Sequence, residues 1–276
     1  MNLDTLRAKL GRLVLRFENG SRRLVTRLVS RMEVVIRAWL LVFMAAAMVR
    51  ISFAVSPIRD LAHFTEAFLP YALAALAPVA GYRLAMAAFP AHVLPAQPRF
   101  LLPSYGRWQK LDAIRARQHP AFGPFGFMAC LLVGMLLNVA VRSFEFLLAV
   151  PTMNMLAPAW GSTIFYVMAF DLIAMNFLYG VCFVMALRSI PLFPRMLLFA
   201  WYMDLFMQLA IAQSVGSSHG LPGDVAAALQ ELLTGNVTKV LISAAVWIPY
   251  LLLSERVNVT YRSRAPAASV EALEGA

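Results

Sequence analysis

Residues 163–187 read TIFYVMAFDLIAMNFLYGVCFVMAL. As a helix rising about 1.5 Å per residue, this run is long enough to cross a hydrocarbon core of about 30 Å. Asp171 stands well inside it. A lone acid at that depth costs roughly 2.5–3.5 kcal/mol on insertion scales, so it belongs against protein or a wet cavity, with a partner. The run therefore reads as a central helix touching several others.

The whole chain fits that reading. It is 61% hydrophobic and 14% charged, with mean hydropathy +0.71. Soluble domains lie nearer 45–50% apolar and about 25% charged, so these totals imply an all-α polytopic membrane protein. The net charge of +10 does not point to nucleic acid, because the basic residues fall between apolar runs and carry no basic-aromatic reading surface. Cys130 and Cys182 both lie inside apolar runs and form no CxxC. The first long apolar run begins only after Arg37, too late for the hydrophobic region of a cleavable signal peptide.

Residues 1–36 read as a basic amphipathic segment. Leu3, Leu6, Leu10, Leu13, Val14 and Phe17 fall at helical spacing against Arg7, Lys9, Arg12 and Arg16. Asn19-Gly20-Ser21 reads as a break, after which Leu24, Leu28, Met32 and Val35 resume the stripe. Such a helix suits the lipid headgroup region; the alternative is packing on the protein's own loops or on a partner. Asp4, Glu18 and Glu33 argue against a mitochondrial transit peptide.

Six spans follow, at about 38–56, 67–89, 122–141, 163–187, 196–212 and 237–253. Residues 37–121 form a two-span hairpin with its connector, and 122–262 form a four-span domain. The first half of the connector is Pro-rich and reads as extended, with Leu111–Gln118 as two helical turns. Residues 143–162 read as an apolar loop with Trp160 at headgroup depth. Pro222 and Asp224 open a short helix that Gly235 ends, and residues 263–276 read as a disordered tail. Ala77, Gly81 and Ala85, and likewise Cys130 and Gly134, fall four apart, a spacing that lets helix backbones approach closely. Asn138 and Arg142 continue the second stripe.

Charge orients the threading. Nine Lys or Arg precede the first span, five occupy the connector after the second, two the turn after the fourth and three the tail. The intervening connectors hold Arg59, Arg142 and none. Six spans with both termini in the cytoplasm of a bacterial inner membrane satisfy the positive-inside rule without exception.

From about residue 125 to 262 the chain resembles an uncharacterised bacterial family of four-span inner-membrane proteins, carried as a domain of unknown function. The resemblance rests on Val246-Trp247-Ile248-Pro249-Tyr250, Ser254-Glu255-Arg256-Val257, Thr260-Tyr261, Phe193-Pro194-Arg195 and the helix Ala227–Leu233. Two positions depart from the family pattern: Glu255 replaces a basic residue, and Phe125-Gly126-Phe127 replaces a Gly-Trp opening. The resemblance implies a topology and no activity. Anchoring also explains the end motif, since Trp247 and Tyr250 suit an interfacial belt and Arg256 an inner boundary.

No hydrolase, nucleotide or zinc motif occurs, and His63, His92, His119 and His219 are scattered without ligand spacing. No cofactor is expected. Chemistry, if present, falls to polar residues within the spans. Counted at about 1.5 Å per residue, Arg50, Asn138, Asp171, Asp204 and Gln208 come within a few ångströms of one layer. Arg50 reads as the favoured partner of Asp171, with Gln208 as the alternative. Two functions are consistent with this. One is a non-enzymatic accessory or assembly subunit that packs through the small-residue stripes against a membrane-protein partner or a second copy. The other is a small transporter or channel using the polar layer. A lipid-active enzyme is a third class, but no catalytic group stands out.

Overall fold

The computed structural model describes residues 3–90, 96–99, 106–217 and 220–267. The order is α1 (Leu3–Ser30), α2 (Met32–Ser52), α3 (Leu61–Ala88), β1 (Trp108–Lys110), α4 (Ala113–Gln118), α5 (Phe127–Ala149), α6 (Ala159–Leu187), α7 (Phe193–Gly216), α8 (Gly223–Leu253), α9 (Glu255–Arg262) and β2 (Arg264–Pro266). Six of these helices, α2, α3 and α5–α8, are long and apolar enough to cross a membrane. Most of the Pro-rich connector, His92, His219 and residues 268–276 lie outside the described residues.

Helix α6 is the axis of the bundle. Its apolar window is 61% buried, against 17% for α2 and 11% for α8. It packs on α3, α5 and α7 together. The α3 side depends on small residues. A Cβ on Gly81 would sit 2.3 Å from the Phe177 carbonyl oxygen, and one on Gly180 would sit 2.7 Å from that of Pro78. Ala77, Gly81 and Ala85 are buried, so the first small-residue stripe is spent inside the chain rather than offered to a partner. Pro78 withdraws a backbone donor in this same turn, and the Trp39 indole donates to the Ala75 carbonyl at 2.9 Å.

Several boundaries differ from the sequence reading. Helix α1 runs through Gly20 and breaks at Arg31 instead. A helical glycine costs only about 1 kcal/mol, and the turn is held from outside. The Ser21 hydroxyl donates to the Glu18 carbonyl at 2.7 Å and accepts from the Gly126 amide at 2.7 Å. Helix α5 does not stop before Arg142 but continues to Ala149, shortening the apolar loop that follows. Trp160 accordingly sits in the first turn of α6. Helix α8 passes through Gly235 as one piece, because Leu233 and Val240 bury on the two sides of it. At about 1.5 Å per residue its 31 residues exceed a bilayer core by about 16 Å. Finally, Arg264–Pro266 is ordered, pairing antiparallel with Trp108–Lys110; the disorder expected from residue 263 does not begin there.

The bundle has two distinct ends. At one lie α1, α9 and the β1–β2 ribbon. There Glu18 accepts from Arg256 at 2.7 Å and from Arg22 at 3.3 Å, while Arg22 also covers the Phe125 ring. Gly126 allows this closure, with φ of +63°. Tyr261, fully buried, donates to the Ala186 carbonyl at the end of α6 at 2.8 Å. We call this the basic end. At the opposite end, the loop after α5 is tied to the loop after α2. The Val55 amide donates to the Thr152 carbonyl, and the Asn154 amide to the Ser56 hydroxyl. Beyond Ser21 and Val25, α1 leaves much apolar surface uncovered, including Leu13, Val14, Leu15 and Phe17, which fits a helix lying on lipid.

Partial burial alone would raise the Glu18 carboxyl, but the hydrogen bonds and charges of Arg256 and Arg22 outweigh it and hold it below its ordinary value. The docking of α1 thus gains from ionised Glu18 above the usual carboxylate range of about 4.3, and loses that gain as pH falls through the lowered value. Glu18→Gln should mimic the acid state and speed tryptic cleavage after Arg22, Arg23 and Arg27 several-fold; an unchanged rate contradicts the clamp. Separately, Gly81→Ala should lower thermal stability in detergent by about 1–3 kcal/mol through overpacking. Gly134→Ala should be nearly neutral, since no atom lies within 4 Å of its added methyl.

Candidate functional site

The buried apolar residues form two masses. One surrounds Met128, Leu132, Met175, Phe183 and Leu197; the other surrounds Phe43, Tyr71, Phe165, Leu172 and Ile211. Between them lies a polar layer built on three central helices. Arg142 of α5 reaches in as a fork. Its Nη1 donates to both oxygens of Asp204 on α7, at 2.8 and 2.9 Å, and its Nη2 donates to Asp171 Oδ2 on α6 at 2.5 Å. The side chains of Arg142, Asp171 and Asp204 are 13%, 6% and 1% exposed.

The expected pairing of Asp171 with Arg50 is therefore corrected. Arg50 lies in the last turn of α2, where its carbonyl accepts from the Thr152 hydroxyl at 3.4 Å. Its Nε is buried and has no hydrogen-bond partner among the described residues. Arg142 outcompetes it because α5 continues past residue 142, which turns a connector charge into a core charge. Gln208, the alternative partner, does join the layer. Its amide donates to Asp171 at 3.4 Å and to Asp204 at 3.5 Å, both long contacts. Three more groups complete the surroundings. Tyr179 donates to Asp204 Oδ2 at 3.0 Å, Asn236 of α8 donates to Gln208 Oε1 at 3.3 Å, and Asn176 donates to the Ser143 hydroxyl at 2.9 Å.

Charge balance sets what this layer can do. Two carboxylates share one guanidinium. A planar fork can hold both at once, but it supplies one positive charge against two negative ones. An unbalanced charge is expensive in a low-dielectric interior, and a bound proton or cation is one way to offset it. Asp171 Oδ1 is buried and without a hydrogen-bond partner among the described residues, which leaves an oxygen available for either.

The layer is not sealed. A cleft of about 280 Å³ between α5, α7 and α8 reaches Arg142 and Asp204 directly, with Gly134, Asn138, Tyr179 and Trp201 among its walls. The open second stripe explains it. Cys130 is exposed and Gly134 meets nothing within 4 Å, so α8 approaches α5 through long side chains rather than by backbone contact. Phe127 lies against Trp247 and Tyr250, and Lys239 binds Glu145 at 2.5 Å. Asn138 thus belongs to the cleft wall and not to the ion cluster. Among the described residues no group of three or more His, Cys, Asp or Glu converges as a metal site.

Sequence reasoning missed Arg142 and Tyr179 as members of the layer. A signal for Arg142 existed: it extends the four-apart stripe of Cys130, Gly134 and Asn138, and so faces the same way as they do. For Tyr179 no such signal exists, since an intramembrane tyrosine two turns from Asp171 reads equally well as core. Comparison with protein-family models, curated proteins and solved structures finds no match.

Removing Arg142 should expose the coupling. Arg142→Gln alone is expected to destabilise the detergent-solubilised protein by about 3–5 kcal/mol, because it strands two buried carboxylates. Adding Asp171→Asn should recover part of the loss, whereas Arg50→Gln combined with Asp171→Asn should be additive. Thermal unfolding of the full double-mutant cycle checks this; coupling to Arg50 instead of Arg142 would contradict it.

Proposed function

We propose that this chain is a small proton-linked transporter of a bacterial inner membrane, with both termini cytoplasmic. The observation that carries the reading is the buried pair Asp171–Asp204 sharing Arg142 beside an open cleft. A purely structural hydrogen-bond layer has no need of an excess carboxylate, and a balanced pair would serve it better. A site that can hold either a proton or a cation is suited to exchanging one for the other. Intramembrane ionisable residues commonly mark such pathways. The orientation rests on the basic residues, which gather at the end that carries α1, the connector and α9. The resemblance of residues 125–262 to the four-span family is part of the same proposal.

An accessory or assembly role is the second reading. It is favoured by one observation, the uncovered stripe at Cys130 and Gly134, which a partner helix or a second copy could fill. In that case the cleft closes on assembly, and the polar layer serves to fix the bundle.

Two measurements test the proposal, the first its orientation and the second its transport. Ser217→Cys should react with a membrane-impermeant thiol reagent from outside and Arg115→Cys only from inside; the reverse pattern overturns the orientation. Protein adsorbed on a solid-supported membrane should give a transient charge displacement after a pH jump, and Asp171→Asn should lose at least nine-tenths of it while eluting as a folded species. A silent wild type contradicts proton-linked transport.

A further inference from the structure

A second cavity adjoins the layer. It has a volume of about 650 Å³ and lies between the first half of α8 and the rims of α5 and α6 at the end opposite the basic one. Met153, Trp160, Ile164, Val225 and Leu229 make its walls apolar. Its size falls in the range of about 300–1,000 Å³ typical of small-molecule pockets. Helix length places it. Gly223 lies about 24 Å along α8 from Lys239, whereas α5 ends only about 6 Å beyond Glu145. The cavity therefore rises past the end of α5, as an apolar vestibule above the ion layer.

Its floor is charged. Lys239, bound to Glu145, lines both this vestibule and the 280 Å³ cleft. A narrow space beside it is bounded by Arg142, Asp171, Glu145 and Asn236. Across these adjoining spaces, the described charged residues are Glu145, Asp171, Asp204 and Glu231 against Arg142 and Lys239. Acids outnumber bases four to two. Tyr179, Trp201 and Trp247 add aromatic surface in the cleft. The lining is thus apolar above, aromatic below and negative in between. An inorganic cation would leave the apolar vestibule unused. An anionic amphiphile would meet the acid excess. A neutral acyl chain would leave that excess unbalanced.

We propose that the vestibule and cleft take a lipophilic monovalent organic cation, with its apolar body in the lower vestibule against Met168 and Leu232, which also border the space at Asp171, and its charge at the Asp171–Asp204 pair. The inference rests on the proton-linked reading and names its substrate class. Cation and proton are alternative ways of balancing the same carboxylate: as the cation binds, the proton leaves the carboxyl oxygen for solvent, and the site charge is unchanged. Aromatic faces strengthen the preference for a cation by about 0.5–2 kcal/mol per contact. Glu145 and Lys239 must separate, or swing together, for the body to pass between the two cavities.

The test uses purified full-length protein and tetraphenylphosphonium, with tetraphenylborate as the anion of matching shape. Equilibrium dialysis should show saturable binding of the phosphonium, at least tenfold tighter than the borate, with close to one proton released per cation bound. Asp171→Asn should abolish the proton release. Ala228→Trp changes an exposed residue on the vestibule wall, away from the ion pairs, and so should fold; it should weaken phosphonium binding at least tenfold. Preference for the borate, binding without proton release, or indifference to Ala228→Trp overturns the proposal. A wild type that gives the pH-jump signal but binds no phosphonium overturns the substrate class and leaves the proton reading standing. Loss of both removes the proton reading as well.

Discussion

Arg142 is held in a place where a charge is hard to keep. Its guanidinium lies between two apolar masses, and only the double fork to Asp204 and Asp171 makes that position tolerable. The constraint propagates outward. To hold the fork, α5, α6 and α7 must keep their rotations and depths, since a turn of slippage would move one acid out of reach. The helices that surround them fix this geometry. Gly81 and Gly180 let α3 lock against α6 at backbone distance, and Tyr261 ties α9 to the end of α6. Helix α8, the least buried of the spans, is not needed for the fork and is free to leave a cleft beside it.

That division of labour gives the molecule a rigid side and a loose side. The rigid side, α3 against α6, has its small residues buried, and α2 is tied to α3 there by the Trp39 indole on the Ala75 carbonyl. The loose side faces α8 and is spanned by long side chains, notably Lys239 to Glu145 and Phe127 to Trp247. Local opening falls where packing is sparse. The ion layer belongs to both sides, with its charges set in the rigid part and its access in the loose part.

Much of this was legible in the sequence. Helix number, the central place of the run around Asp171, and the convergence of Asp171, Asp204 and Gln208 follow from span length and depth counting. Where the reading failed, it failed at charges and glycines. Arg142 looked like the end of a span because an isolated arginine ordinarily marks one; its two acids lie 29 and 62 residues away, and no local pattern reveals them. Gly20 and Gly235 looked like helix ends, yet tertiary contacts at Ser21, Leu233 and Val240 carried the helices through. Depth counting sets Arg50 too deep: α2 begins at Met32 rather than near residue 38, which carries Arg50 out to the last turn beside Thr152. The vestibule was invisible because it is made by the overhang of α8, and the sequence reading divided that helix in two.

The central claim is that the pair Asp171–Asp204 carries one charge more than Arg142 balances, so that a proton resides there in the absence of a cation. Infrared difference spectroscopy reads this most directly, by the stretching band of a protonated carboxyl group. The account predicts one such band in the wild type, shifted on transfer to deuterium oxide because the cleft admits solvent, and absent from Asp171→Asn and Asp204→Asn. A wild type without a protonated-carboxyl band, or a band that survives both substitutions, would contradict it.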